Sequence, residues 1–190
     1  MPLPHYTQAR ASTQNFEPIQ QNLFEVTIFT PAGDDAGLIL EHVRSIAGLN
    51  ALNPTVDAAS PQKYKFSDRS YAGMPSQTFV DLTILFTLNL NEANENYIYN
   101  TFRNWYKLIY DPATGEMSLK KDYIGSLILV QYNRAGDIYR KVTAKSIFPT
   151  GSPAWADDMN YDSSDPVELT MIFRCDHWVD ENVGEGKNEF

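Results

Sequence analysis

Residues 78–88 read Thr-Phe-Val-Asp-Leu-Thr-Ile-Leu-Phe-Thr-Leu, and this stretch decides the fold class. Val80, Leu82, Ile84, Phe86 and Leu88 fall at every second position, with Asp81, Thr83 and Thr87 between them. That period of two marks a half-buried strand, because successive side chains of an extended chain point to opposite faces. Leu85 interrupts the polar row, so the second face is expected to be partly covered as well.

Working outward from this strand, the same alternation returns upstream in Phe24, Val26 and Ile28, separated by Glu25 and Thr27. Residues 30–37, Thr-Pro-Ala-Gly-Asp-Asp-Ala-Gly, are turn chemistry. In residues 38–49, Ile39, Val43 and Ile46 fit a helix as well as a strand, and periodicity leaves the type open. Residues 50–77 are rich in Pro, Ser and Ala, with one short alternating piece around Tyr64 and Phe66; a connection of that length in a compact domain implies a task or a partner.

Downstream, residues 91–110 predict the one long helix. Ile98, Phe102, Trp105 and Ile109 form a single apolar stripe, Asn89 and Glu92 have capping-box spacing, and Asp111-Pro112 ends the run. Residues 124–132 and 138–148 flank a short loop containing Gly136 and read as a β-hairpin. Residues 149–166 form a second long loop, and Val167, Leu169, Met171, Phe173 and Cys175 alternate in a final strand. The expected organisation is a polar arm at 1–21, a body at 22–178 and a polar tail at 179–190. The body is mainly β: an antiparallel sandwich or barrel with one flanking α-helix.

The chain has 190 residues and a net charge of −9, which fits one domain that needs no staple. Residues 1–150 carry 14 acids and 13 bases, whereas 151–190 carry 10 and 2, so nearly all the excess lies in the last fifth. That balance argues against gripping nucleic acid through phosphates, since such proteins show a basic footprint. No apolar run is long enough to span a bilayer, and the start has no signal-peptide core, so a soluble protein made in a reducing compartment is expected.

Chemistry is sparse. Cys175 is the only cysteine, which excludes an internal disulfide and a Cys-x-x-Cys metal site. On a regular strand Cys175 and His177 would share a face, but two ligands do not make a metal centre. No nucleophile elbow and no phosphate-binding glycine loop occur. The acidic pairs Asp34/Asp35, Asp157/Asp158 and Asp162/Asp165 lie among turn formers and read as solvated turns. No catalytic, cofactor-binding or metal-binding residue is therefore assigned. Three features call for neighbours instead: the arm, the connection at 50–77 and the partly two-sided strand at 78–88.

The order of these segments resembles the tail tube proteins of contractile-tailed bacteriophages and related contractile injection systems. The resemblance rests on Asn22-Leu23-Phe24-Glu25-Val26-Thr27-Ile28 after a polar arm, on a central helix ending in Phe102-Arg103-Asn104-Trp105, and on Val130-Gln131-Tyr132 with the turn after it. Ile147-Phe148-Pro149-Thr150 and the closing Leu169-Thr170-Met171 to Asp176-His177-Trp178 complete it. It implies a small β-sandwich or barrel of which six copies form a ring and rings stack into a hollow tube. Residues 38–49 would then be strand. Asp81, Thr83, Leu85 and Thr87 become candidates for the inner barrel, and Phe16, Tyr64, Phe66 and Tyr71 for contacts between subunits or rings.

The resemblance further implies a homo-oligomer, sheath and baseplate partners, transient non-specific passage of DNA, no cofactor, no insertion of this chain into a membrane, and a place in the virion tail after assembly in the host cytoplasm. Acids in the lumen would repel passing phosphates, although the sequence leaves open whether the acidic final segment faces lumen or sheath. Two alternatives stand beside the tube subunit. One is a tail-terminator or baseplate ring protein of the same fold; the other is a carbohydrate-binding β-sandwich using Trp155, Tyr161 and Trp178 as a platform.

Overall fold

The structure, a computed structural model, describes residues 20–33, 36–52, 55–58, 62–63, 68–76, 80–89, 97–153, 161–162 and 164–181. Ten strands appear among them: β1 (Phe24–Phe29), β2 (Val43–Ala47), β3 (Thr55–Ala58), β4 (Gln62–Lys63), β5 (Asp68–Arg69), β6 (Ala72–Ser76), β7 (Val80–Thr87), β8 (Gly125–Tyr132), β9 (Ile138–Pro149) and β10 (Glu168–Glu181). The helices are α1 (Ala36–His42), α2 (Tyr97–Ile109) and α3 (Lys120–Tyr123), with a 3-10 turn at Leu49–Leu52.

Six strands form one antiparallel sheet in the order β1-β8-β9-β10-β7-β2, curled into a nearly closed barrel. The alternation read from residues 78–88 is what closes it: Val80, Leu82, Ile84 and Phe86 are all buried, and each faces an equally apolar row of β10. Val26 and Ile28, Leu127 and Leu129, and Val142 and Ala144 continue the same buried face across the sheet.

Helix α2 seals this face. Its stripe places Ile98, Phe102 and Trp105 inside, with Phe102 4.8 Å from Phe86 and 5.5 Å from Phe173, ring centre to ring centre. Trp105 lies 5.6 Å from Phe173, and its indole N–H donates to the Tyr123 carbonyl at 2.6 Å, so the largest buried ring leaves no polar atom unmatched. A Cβ at Gly125 would run into that indole ring and the Phe29 carbonyl, which is why the strand opens on glycine.

The mainly β body, the helix stripe and the hairpin at β8–β9 are as the sequence predicts; residues 91–96, and with them Glu92 of the capping box, lie outside the described residues. Four details differ. Residues 38–49 are not one strand: the chain first makes α1, burying Ile39 beside β1, then becomes strand only at Val43. The junction is fixed where the His42 Nδ1 meets the Thr87 carbonyl at 2.8 Å. The ambiguous periodicity reflected two elements in series.

Second, the connection at 50–77 is not plain loop. β3 pairs with β6 and β4 with β5 in nested antiparallel order, so the segment doubles back as a two-tiered ribbon. Third, β10 begins at Glu168, leaving Val167 exposed outside the buried row, and runs on to Glu181, past Trp178, because β9 is long enough to pair with it there.

Fourth, β9 and β10 change faces together. Ala144 and Ile147 are both buried, as are Cys175 and Trp178, three residues apart where regular pleating demands two or four. Ser146 has φ 56°, a left-handed backbone uncommon outside glycine, and pairing resumes at His177↔Lys145. This matched irregularity bends both strands at one row, and a period-two reading carried straight through assigns the wrong face beyond it.

Candidate assembly surface

The outer face of the sheet is built by the residues that alternate with the core. Along β7 and β10 four rows stand directly opposite one another: Thr87/Glu168, Leu85/Thr170, Thr83/Ile172 and Asp81/Arg174. The inner rows carry hydroxyls and two apolar side chains, while the charges sit at the ends. Thr83, Leu85 and Thr87 are half-buried and Asp81 is exposed, so the partial cover expected from Leu85 exists within the single chain.

At one end Arg174 grips Asp81 with both arms of its fork, Nε to Oδ1 and Nη2 to Oδ2, each at 2.9 Å. The guanidinium holds the Asp81 carboxyl below the usual carboxylate range, first through these hydrogen bonds. At the other end Arg44, in the bulge where β2 slips its register on β7, reaches over β7 to Glu168 at 2.5 Å. Beside the Arg174 row, Lys120 of α3 donates to Asp176. On the far stretch of β10, Arg140 pairs with Asp180 at 2.5 Å and Lys141 with Glu181 at 3.4 Å. The Arg140 hydrogen bonds likewise depress the Asp180 carboxyl.

The sheet ends in β1 and β2. Helix α1 lies against β1, whereas β2 pairs only with β7 among the described residues. A terminal strand offers a row of N–H and C=O groups to any matching strand; the shortness and bulge of β2 restrict which partners fit. Val56 in β3 and Tyr71, just ahead of β6, are each about half exposed and add to the available apolar surface. Of the candidate contact residues, Tyr71 is therefore at the surface; Phe16, Tyr64 and Phe66 lie outside the described residues. Arg44, Glu168 and Arg174 were not singled out from sequence. The Arg174 pairing needed the β7–β10 register, and nothing local announces that Arg44 reaches across a strand.

The remaining chemical options narrow. Cys175 is fully buried and His177 exposed, so the change of face separates them. Burial pushes the thiol up, away from the reactive thiolate. No group of three or more His, Cys, Asp or Glu side chains fit to hold a metal occurs among the described residues. A hollow lined by Leu49, Leu52, Leu129, Gln131, Arg140 and Val142 has about 50 Å³, far below the several hundred that a small-molecule site occupies. The aromatic sugar platform fails at Trp178, which is only 8% exposed and belongs to the core; Tyr161 is fully exposed, and Trp155 lies outside the described residues.

No protein-family model and no curated protein sequence matches the chain. Solved structures do. The chain is similar to a structure of the anti-feeding prophage cap, the tube-terminating cap, with a TM-score of 0.58 and 14% identity over 88% of this chain and 93% of that one. It is similar to a chain of the PVC sheath-tube complex of an extracellular contractile injection system, with a TM-score of 0.54 and 14% identity over 95% and 100%. The PVC sheath/tube terminator follows with a TM-score of 0.55 and 15% identity over 87% and 98%. The chain thus has the tube-like fold found in contractile injection systems, as its segment order suggested.

Proposed function

We propose that this chain is a structural, non-enzymatic subunit of a contractile tail, and specifically of its tube. Copies join edge to edge into a ring of six, rings stack into a hollow conduit, and DNA passes through it during ejection. Sheath and baseplate proteins are its partners, and the virion tail, assembled in the host cytoplasm, is its place.

The observation that carries this reading is the sheet itself: six strands in a fold similar to tube proteins that stop at a bulged edge, β2, with a polar, ion-paired outer face. Ring closure removes strand edges by pairing each with its neighbour's, which gives such a sheet a reason to remain incomplete in one copy. In this arrangement the outer face of β7, with Asp81, Thr83, Leu85 and Thr87, lines the inner barrel. The ribbon carrying Tyr71, together with Tyr64, Phe66 and the arm with Phe16, touches adjacent subunits or rings. A second reading, a terminator that forms one ring and stops, is favoured by the likeness to a tube-terminating cap and to a sheath/tube terminator.

Negative-stain microscopy of the purified chain separates these. Long hollow filaments are expected of a tube subunit, isolated rings of a terminator, and dispersed monomers at high concentration contradict both. Removal of residues 1–21 is expected to leave a folded subunit that assembles poorly; normal filaments from the truncated chain remove the arm from the assembly surface.

A further inference from the structure

The ladder on the outer face has an arrangement that its position alone does not require. Two arginines stand on it, and each is occupied: Arg174 by both oxygens of Asp81, Arg44 by Glu168. Between the two pairs, the outward rows of β7 and β10 are Leu85/Thr170 and Thr83/Ile172, which carry no charge. On the Arg174 side, Lys120 is itself bonded to Asp176. A face that simply repelled phosphate would need acids alone, whereas here each guanidinium faces a carboxylate of its own chain, Arg174 through Nε and Nη2 and Arg44 through Nη1.

We propose that the carboxylates of Asp81 and Glu168 keep Arg174 and Arg44 from phosphate, so that this face lets duplex DNA slide past without holding it. The inference rests on the reading of this face as the inner wall of the conduit. A planar guanidinium binds carboxylate and phosphate with the same two-pronged geometry, so Asp81 competes for the very fork of Arg174 that a DNA backbone would use, while Glu168 holds Arg44 by one prong and neutralises its charge. Freed, each arginine displaces condensed counterions from DNA and contributes about one phosphate contact, with a salt-dependence slope of about 0.9 per contact. Because the two pairs stand at opposite ends of the same ladder, losing both carboxylates converts a neutral strip into a two-point clamp. A ring repeats that clamp in every subunit.

The test uses the full chain as D81N/E168Q, with a short fluorescein-labelled duplex of mixed sequence as the probe and anisotropy as the readout, from about 50 to about 200 mM salt. The wild type is expected to bind only weakly, measurably at the lowest salt alone or as a lower limit on Kd. The variant is expected to bind at least about tenfold more tightly at the lowest salt, with a log–log slope steeper by about 2. The variant E116Q/D122N makes the same change in net charge at two exposed acids outside the ladder and is expected to match the wild type. Adding R44Q and R174Q to D81N/E168Q is expected to remove the gain. An unchanged D81N/E168Q, or an equal gain in E116Q/D122N, overturns the proposal. Filament formation is scored separately: wild-type filaments combined with no DNA gain retire this inference and leave the tube standing, whereas absent filaments and rings count against the tube.

Discussion

The two faces of strands β7 and β10 share one backbone and differ in everything else. Inward, Leu82, Ile84, Phe86, Met171 and Phe173 are essentially without solvent contact, and Phe86 and Phe173 pack against Phe102 and Trp105 of α2. Outward, the same strands present Thr83, Thr170 and the Arg174–Asp81 pair. The inner face supplies the folding energy of the single chain, through apolar area removed from water. The outer face contributes little to folding, because exposed ion pairs gain little in high dielectric, and its regular cross-strand pattern calls for a different explanation: what slides along it or docks against it.

That contrast sets the size of the effects expected from substitution. The largest is Ile84→Asp: a carboxylate placed among fully buried apolar side chains, with no partner, costs more than about 4 kcal/mol against a total stability of about 5–15. Loss of the folded state by circular dichroism is the expected result, and a cooperative melt near the wild-type temperature would show that the two faces are not as different as described. Next is Trp105→Ala, which empties the space against Phe173 and Gly125 and leaves the Tyr123 carbonyl without its donor. About 3–5 kcal/mol of destabilisation in denaturant titration is expected.

The smallest effect belongs to the outer face. Asp81→Asn is expected to leave the melting temperature near that of the wild type at neutral pH. Its signature is in titration: the Arg174 hydrogen bonds lower the Asp81 carboxyl in the folded state, so the folded chain gives up that proton more readily than the unfolded one. The pair's contribution is therefore complete above the ordinary aspartate range and fades as pH falls through the lowered folded value. Carboxyl-selective NMR reads the midpoint directly; a value at or above that of a free aspartate would mean that the pair does not persist in solution.

The same contrast explains what was legible in advance. Core strands announce themselves through period two because burial selects apolar residues at every inward position, and the α2 stripe does so at helical spacing. Residues 36–47 did not, since a seven-residue helix followed at once by a five-residue strand offers too few positions to separate the periods. The ribbon at 55–76 was missed for a related reason: its strands are four, two, two and five residues long and pair only with each other, so no sheet face imposes a sustained alternation on them. The Cys175–His177 face was misread because one irregular row at Ser146 and Asp176 inverts the pattern, and nothing in the local residue types marks it. The ion-paired ladder is a property of register across strands far apart in sequence, Asp81 with Arg174 and Arg44 with Glu168, and a single sequence carries no register.

The account stands or falls on whether the β2 edge is completed by another copy. Amide hydrogen exchange on dispersed and on assembled protein measures this most directly. Assembly is expected to slow exchange along Val43–Ala47 by orders of magnitude while leaving the already paired interior of β9 unchanged. Exchange along β2 that stays as fast in the assembled state as in the dispersed one would contradict an edge-to-edge ring.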